Sequence, residues 1–384
     1  MSNDGSPVFE EELDSSRPVD EARRADAEQG ARGRGLRTPV LSAAAVLALA
    51  IGVGTYFGTQ GHAATHSAHG SSLAAASADA YEVYVAAQGG FEVATLNSQT
   101  AAAGSVFSTD SAAGIALSPD DQTLYIANTG QYAVLAVNVA TKASTTIHVG
   151  AYPQDVVATP NGSTVYATVT GGDSGPGGSN QVAVISTATN AVTGYITVGT
   201  APRRIVLNST GSRAYVGTEG GIYVIDTASN KVIGVVKAPQ DVQGLALSPD
   251  GATLYATAPG EGQVLVVSTH NLHVDRTYQA GAEPWSVGVT PDGKTLYVAD
   301  TNSNSVAVLD SATGKTITSV TVGSLPTAIG VTPDGSEVWV GNDLTGSLSV
   351  ISTATNALAA TIPGGPGTSA LDSAPTDILF APAG

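Results

Sequence analysis

A short strand-like motif, an aromatic ring set between apolar or small residues, recurs seven times and limits what this chain can become. It reads VYVA at Val83, LYIA at Leu124, VYAT at Val165, AYVG at Ala214, LYAT at Leu254, LYVA at Leu296 and VWVG at Val338. The rings, from Tyr84 to Trp339, are separated by 41, 41, 49, 40, 42 and 42 residues. A period near forty residues, with four strand-length segments in each unit, belongs to a β-propeller. A single blade cannot bury its own faces, and stacking the blades around a ring buries them.

The fullest unit runs WSVGVT (Trp285 to Thr290), a PDG turn, LYVAD, a polar loop, SVAVLD (Ser305 to Asp310), an ATGK turn and TITSVTVG (Thr316 to Gly323). Proline presets φ for a tight turn and glycine accepts positive φ, so PDG reads as a hairpin. The first unit starts at Glu82 with no inner strand before it, and the chain ends in PTDILFAPAG, an inner strand with nothing after it. Residues 376–382 are therefore expected to complete the blade begun at Glu82, which leaves no exposed sheet edge. The fold class is all-β: a seven-bladed propeller of four-stranded blades over residues 81–384, closed by its C-terminal strand and preceded by one transmembrane helix.

One copy of the turn, GVTPDGKT from Gly288 to Thr295, matches the phosphate-loop pattern letter for letter. A phosphate loop needs a helix after it, so that the helix N-terminus can face the phosphates. Here a strand pattern follows, and GVTPDGSE, ALSPDGAT and ATPNGST repeat the same turn elsewhere. Nucleotide binding is set aside on that ground.

Charge removes another class of partner. The net charge is −17; of the 32 acids and 15 bases, 9 and 6 lie in residues 1–37, which leaves 23 against 9 and a net −14 beyond them. Nucleic-acid binders need basic patches to neutralise phosphates, so DNA and RNA are excluded. There is no cysteine, hence no disulfide, thiolate metal site or cysteine nucleophile.

The front of the chain is organised differently. Residues 1–37 are rich in charge and poor in large apolar side chains, the composition of a disordered tail. Residues 38–60 carry no charge and are long enough to span a bilayer, with Arg32, Arg34 and Arg37 immediately before them. The positive-inside rule then puts the N-terminus in the cytoplasm and the propeller outside it, in a single-pass cell-membrane protein. Cleavage near Ala74 to Ala78 is the competing reading, against which stand the long polar region and the long apolar run. Residues 61–80 read as an Ala/Ser/His linker, in which His62, His66 and His69 lack an accompanying carboxylate or thiol.

PDGKTLYVADTNSNSVAVLDSATGK (Pro291 to Lys315) and PDGSEVWVGNDLTGSLSVISTATN (Pro333 to Asn356) resemble the YVTN family of propeller repeats, found largely in extracytoplasmic and surface-layer proteins of prokaryotes. The resemblance covers Tyr81 to Gly384 and implies the fold and an extracytoplasmic setting. It says little about activity, because one fold carries many functions.

In a propeller the loops leading into the inner strands, and those joining second to third strands, gather at one mouth of the channel. Loops on a rigid scaffold are where function concentrates. That face gives the candidate binding residues Asp155, Arg203, Arg204, Asp241, Trp285, Asp300, Asn302, Asn342 and Asp377. Gln154, Gln240, Glu219, Tyr132 and Asp343 fall on the same face, as does the long loop Thr170 to Gln181 in the unit with 49-residue spacing. The arginine pair suits a carboxylate or phosphate, or else ties blades together through Asp155 or Asp241. Trp285 suits stacking or packing between blades.

No catalytic histidine is expected at this mouth, since His148 falls on an outer strand and His270 and His273 on turns of the opposite face. The expectation is therefore a membrane-anchored, non-catalytic module that binds a protein or an envelope glycan at the loop-rich face, with no cofactor implied and no metal assigned. The alternative is a metal-dependent hydrolase of the lactonase type, using Glu219, Asp300, Asn302 and Asn342 as oxygen ligands.

Overall fold

In the computed structural model the described residues are 80–89, 92–171, 180–238, 241–364 and 374–383. They form seven four-stranded antiparallel sheets. Blade 1 comprises Tyr81–Ala87, Glu92–Asn97 and Ala103–Ser108, and its innermost strand is the C-terminal Pro375–Pro382. Tyr84 is paired with Leu379 and Val83 with Phe380, so the end of the chain closes the ring as its two incomplete units require. Blades 2 to 7 follow in chain order over residues 112–148, 152–197, 205–237, 245–279, 284–321 and 326–363.

Each blade grades outward from core to solvent. The second strands, such as Thr295–Asp300, are buried almost end to end because both faces meet neighbouring blades. Outermost strands alternate, as in Lys231–Lys237, where only every second side chain is covered. The repeated rings lie inside: Tyr84, Tyr166, Tyr297 and Trp339 are among the largest fully buried side chains. Their polar ends are satisfied locally or by the next blade. The Tyr166 hydroxyl donates to Asn230 Oδ1 of blade 4 at 2.7 Å, and Trp339 Nε1 donates to Glu337 Oε2 at 3.0 Å. A buried phenol or indole needs such a partner.

The phosphate-loop look-alike is a hairpin. Gly293 sits at φ 73, the Asp292 carboxylate accepts the Thr290 hydroxyl at 2.6 Å and the Lys294 N–H at 3.0 Å, and a strand follows from Thr295. Lys294 is exposed and paired with Asp292 at 3.3 Å.

Residues 1–79, with the expected tail, membrane span and most of the linker, lie outside the described residues, as do 172–179 of the long loop and Gln240. Among the described residues no helix is long and apolar enough to cross a membrane.

Candidate functional site

Seven inner strands, or the segments leading into them, bring one side chain each to the channel mouth. Thr376, Ala113, Gln154, Arg203, Gln243, Trp285 and Thr327, one from each of blades 1 to 7, line a cavity of about 230 Å³ with Gln88 and Asp343. The next residue of each strand makes a second rung of Asp377, Gly114, Asp155, Arg204, Gly244, Ser286 and Ala328. Asp155, Arg204 and Ser286 border both this cavity and a second one of about 410 Å³, which is lined mainly by apolar inner-strand residues such as Ile115, Val157, Leu379 and Phe380. The channel therefore has a polar mouth, an ionic rung and an apolar throat.

The ionic rung joins three blades. Arg204 of blade 4 donates from Nη2 to Asp377 Oδ1 of blade 1 at 2.6 Å and from Nη1 to Asp155 Oδ1 of blade 3 at 3.4 Å. Both carboxylates are also held by backbone. Asp155 accepts the N–H groups of Val156 and Ile205, each at 2.9 Å, and Asp377 accepts those of Ile115 and Ile378, each at 3.1 Å. Glycine at 114 is required by this arrangement, since a Cβ there would collide with the carboxylate and Cα of Asp155. Burial pushes the Asp155 carboxyl up to about 7; Arg204 opposes that shift and the charge of Asp377 adds to it. Burial works against the Arg204 charge as well, but Asp377 and Asp155 outweigh it and hold the guanidinium protonated.

Arg203 faces a different environment. Its Nε lies 3.5 Å from Asp241 Oδ2 without forming a hydrogen bond, and Asp241 Oδ1 is likewise buried without a partner. The Gln243 side-chain amide donates to Asp241. The sequence left open whether the arginine pair binds a ligand or ties blades together. Arg204 ties blades, whereas Arg203 lines the cavity and is paired more loosely, with its buried Nε near Asp241.

Asp343 completes the mouth. It follows the second strand of blade 7, its N–H donates to the Leu325 carbonyl, and burial raises its carboxyl pKa with no opposing cation or hydrogen bond. Among the described residues no ion pair engages it, which is unusual for a half-buried carboxylate.

Of the nine candidate residues, Asp155, Arg203, Arg204 and Trp285 line the cavity, while Asp377 and Asp241 contact those arginines. Asp300, Asn302 and Asn342 do not line it. Asp300 is buried and accepts the N–H groups of Ala282 and Glu283 at 3.1 and 2.9 Å, which fixes the segment leading into blade 6. Asn342 is buried and donates to Ser347 and Ser349 within its own blade. Asn302 and Glu219 are exposed. An oxygen cage for a divalent cation needs convergent ligands, whereas Glu219 belongs to blade 4, Asp300 and Asn302 to blade 6 and Asn342 to blade 7, with Asp300 and Asn342 bonded within their own blades. No group of three or more His, Cys, Asp or Glu suited to a metal occurs among the described residues, so this donor set does not fit the cation of the hydrolase alternative.

Comparison with known proteins bears on function. Residues 214–324 match the profile of the lactonase family, described as a seven-bladed β-propeller. The matched stretch includes Gln243 and Trp285 and excludes Arg203 and Asp343. The seven-bladed beta-propeller protein Rv1057 of Mycobacterium tuberculosis is 38% identical over 88 residues, a stretch that is 22% of this chain and 22% of that protein. The match thus spans about a fifth of the curated relative's length.

Among solved structures, a candidate 6-phosphogluconolactonase from Bacteroides uniformis superposes with a TM-score of 0.64 at 16% identity, covering 79% of this chain and 100% of that one. Hydrazine synthase of Kuenenia stuttgartiensis superposes with a TM-score of 0.61 at 20% identity, covering 70% of this chain and 91% of that one. At such identities the likeness is one of fold. The expectation of a non-catalytic binding module is nonetheless corrected by the family match, because the profile that the blades resemble is that of a catalytic family. No histidine lines the cavity; the carboxylates that do are Asp155 and Asp343, and Asp and Glu side chains also serve as general bases.

Proposed function

We propose that the propeller is a lactonase-type hydrolase that opens a small polar cyclic ester at the channel mouth. What carries this reading is a single cavity lined both by Asp343, a half-buried carboxylate that no ion pair engages among the described residues, and by the guanidinium of Arg203. In the proposed reaction the Asp343 carboxylate takes a proton from water as the water oxygen bonds to the ester carbonyl carbon. Arg203 N–H groups stabilise the negative oxygen that forms. The ring C–O bond then breaks, and the departing oxygen recovers the proton from Asp343 to leave a hydroxy acid. Gln154 and Gln243 offer amide groups to substrate hydroxyls, and Trp285 supplies one wall.

Because a structural neighbour is named for 6-phosphogluconolactone, the first substrates to try are glucono-δ-lactone and its 6-phosphate, with unsubstituted δ-valerolactone as control. Acid release in a pH-stat should exceed the spontaneous rate for the polar lactones and favour them over δ-valerolactone. Spontaneous rates for all three would overturn the reading.

We also infer that the repeats are of the YVTN type and that residues 38–60 anchor the propeller outside the cytoplasm. The uncharged run and the three preceding arginines support this placement. Alkaline phosphatase fused after residue 80 should be active in the exporting host; an inactive fusion that accumulates in the cytoplasm would refute the anchor.

A further inference from the structure

A second feature stands at the mouth rim, outside the cavity. Tyr132 of blade 2 and Tyr152 of blade 3 pack edge to face with ring centroids 4.8 Å apart at 86°, and the Tyr132 hydroxyl donates to that of Tyr152 at 3.3 Å. Neither ring is core, as 45% of Tyr132 and 44% of Tyr152 remain exposed. Tyr152 lies two residues before Gln154, about 7 Å along an extended strand. The pair therefore flanks the cavity.

The residue at this backbone position, Tyr132, differs from those in the matching loops of other blades. It follows the 3₁₀ turn Thr129–Gln131 in a left-handed conformation, φ 55 and ψ 39. The same position after the corresponding turns is Gly262 at φ 65 in blade 5 and Asn304 at φ 52 in blade 6, and Gly346 at φ 53 occupies the matching loop of blade 7. Glycine and asparagine tolerate this conformation, and a bulky side chain is disfavoured there. A chain that places Gly or Asn in three of its own repeats and Tyr in a fourth holds that ring, nearly half exposed, at the surface at a backbone cost that its contact with Tyr152 alone does not require. Backbone strain of this kind gathers where a side chain contacts a ligand.

We propose that Tyr132 and Tyr152 form a saccharide-binding subsite that stacks a neutral hexopyranose unit at the mouth rim. Exposed ring carbon matches the C–H face of a pyranose, and the two phenol oxygens offer hydrogen bonds to its hydroxyls. The turn residues Thr129, Gly130 and Gln131 are uncharged and the acid packed against them is Asp110, a setting that disfavours an anionic sugar and suits a neutral one. This subsite does not depend on the hydrolysis proposed at Asp343, and its test reads binding alone.

The experiment is calorimetric titration of the folded protein with cellotetraose and chitotetraose, repeated on Tyr132→Asn and Tyr152→Leu, with the thermal midpoint of each protein measured in parallel. Tyr132→Asn installs the residue that blade 6 already uses at this position. At least one tetrasaccharide should bind saturably, and each variant should weaken it tenfold or more. Tyr132→Asn should also unfold at the same temperature as the parent or higher. No saturable binding of either sugar, binding unchanged in the variants, or a lowered midpoint for Tyr132→Asn would each overturn the assignment; the last would make the ring a packing element.

Discussion

Replacing Arg204 with alanine should cost about 3 kcal/mol of folding stability at pH 8 and distinctly less at pH 5. Removing one partner of a buried ionic cluster leaves uncompensated charge, an effect of roughly 3–5 kcal/mol. The low end applies because the Arg204 side chain is 22% exposed. Asp155 and Asp377 would then face each other from blades 3 and 1 with only backbone N–H groups for compensation.

The pH dependence follows from the direction of the shift. In the parent protein the Asp155 carboxyl is raised from 3.8 to about 7, so between those values the folded state holds a proton that the unfolded state has released. Its contribution to stability is present below the unfolded value and is lost as pH rises through the folded one. Without the Arg204 cation the carboxyl moves further up, so the deficit of the variant is widest above pH 7 and narrows on acidification. Urea denaturation at pH 5 and pH 8 measures both quantities. A deficit equal at the two pH values would mean that Arg204 contributes packing rather than charge compensation.

How far the sequence anticipates this site depends on register. The closing strand, the four strands per blade and the ring aromatics all follow from the forty-residue period, because each is repeated and each repeat must bury the same faces. The mouth residues are the positions at which repeats differ, so periodicity alone cannot rank them. Counting does locate them: the ionic-rung residue precedes the turn proline by five residues in Gly114 to Pro119, Asp155 to Pro160, Gly244 to Pro249, Ser286 to Pro291 and Ala328 to Pro333. That offset puts Gln243, rather than Gln240 or Asp241, at the mouth in blade 5, where the segment before the inner strand is irregular.

Three-dimensional commitments were not legible. Asp300 and Asn342 end the second strands of blades 6 and 7 at the mouth face, yet they bond into their own blades' backbone and side chains. Nothing in their sequence neighbourhoods separates them from Asp343, one residue beyond Asn342, which no ion pair engages among the described residues.

That lack of a partner leads to the strongest expected effect on activity. Asp343→Asn keeps the shape of the side chain and removes its ability to accept a proton. In the proposed reaction kcat should fall by about 10²- to 10⁴-fold, the usual contribution of a positioned general base. KM should change only a few-fold, because the amide still fills its place in the cavity wall. The parent rate should rise with pH through a limb set above the ordinary carboxylate range, since burial alone raises the Asp343 pKa and the ionised form is the active one. That limb should be absent from the residual activity of Asp343→Asn.

Arg203→Ala should behave differently, lowering kcat/KM while leaving the pH limb in place, because its guanidinium binds developing charge and transfers no proton in the proposed step. If Asp343→Asn retained both the rate and the limb, the base would have to be Asp155, the other carboxylate bordering the cavity with a raised pKa. Asp155 is already bound by two backbone N–H groups and Arg204, so accepting a proton from water there would strain the contact that joins blades 3 and 4. The kinetic test on Asp343 thus separates a mouth whose ionic rung is structural from one in which the rung also performs the chemistry.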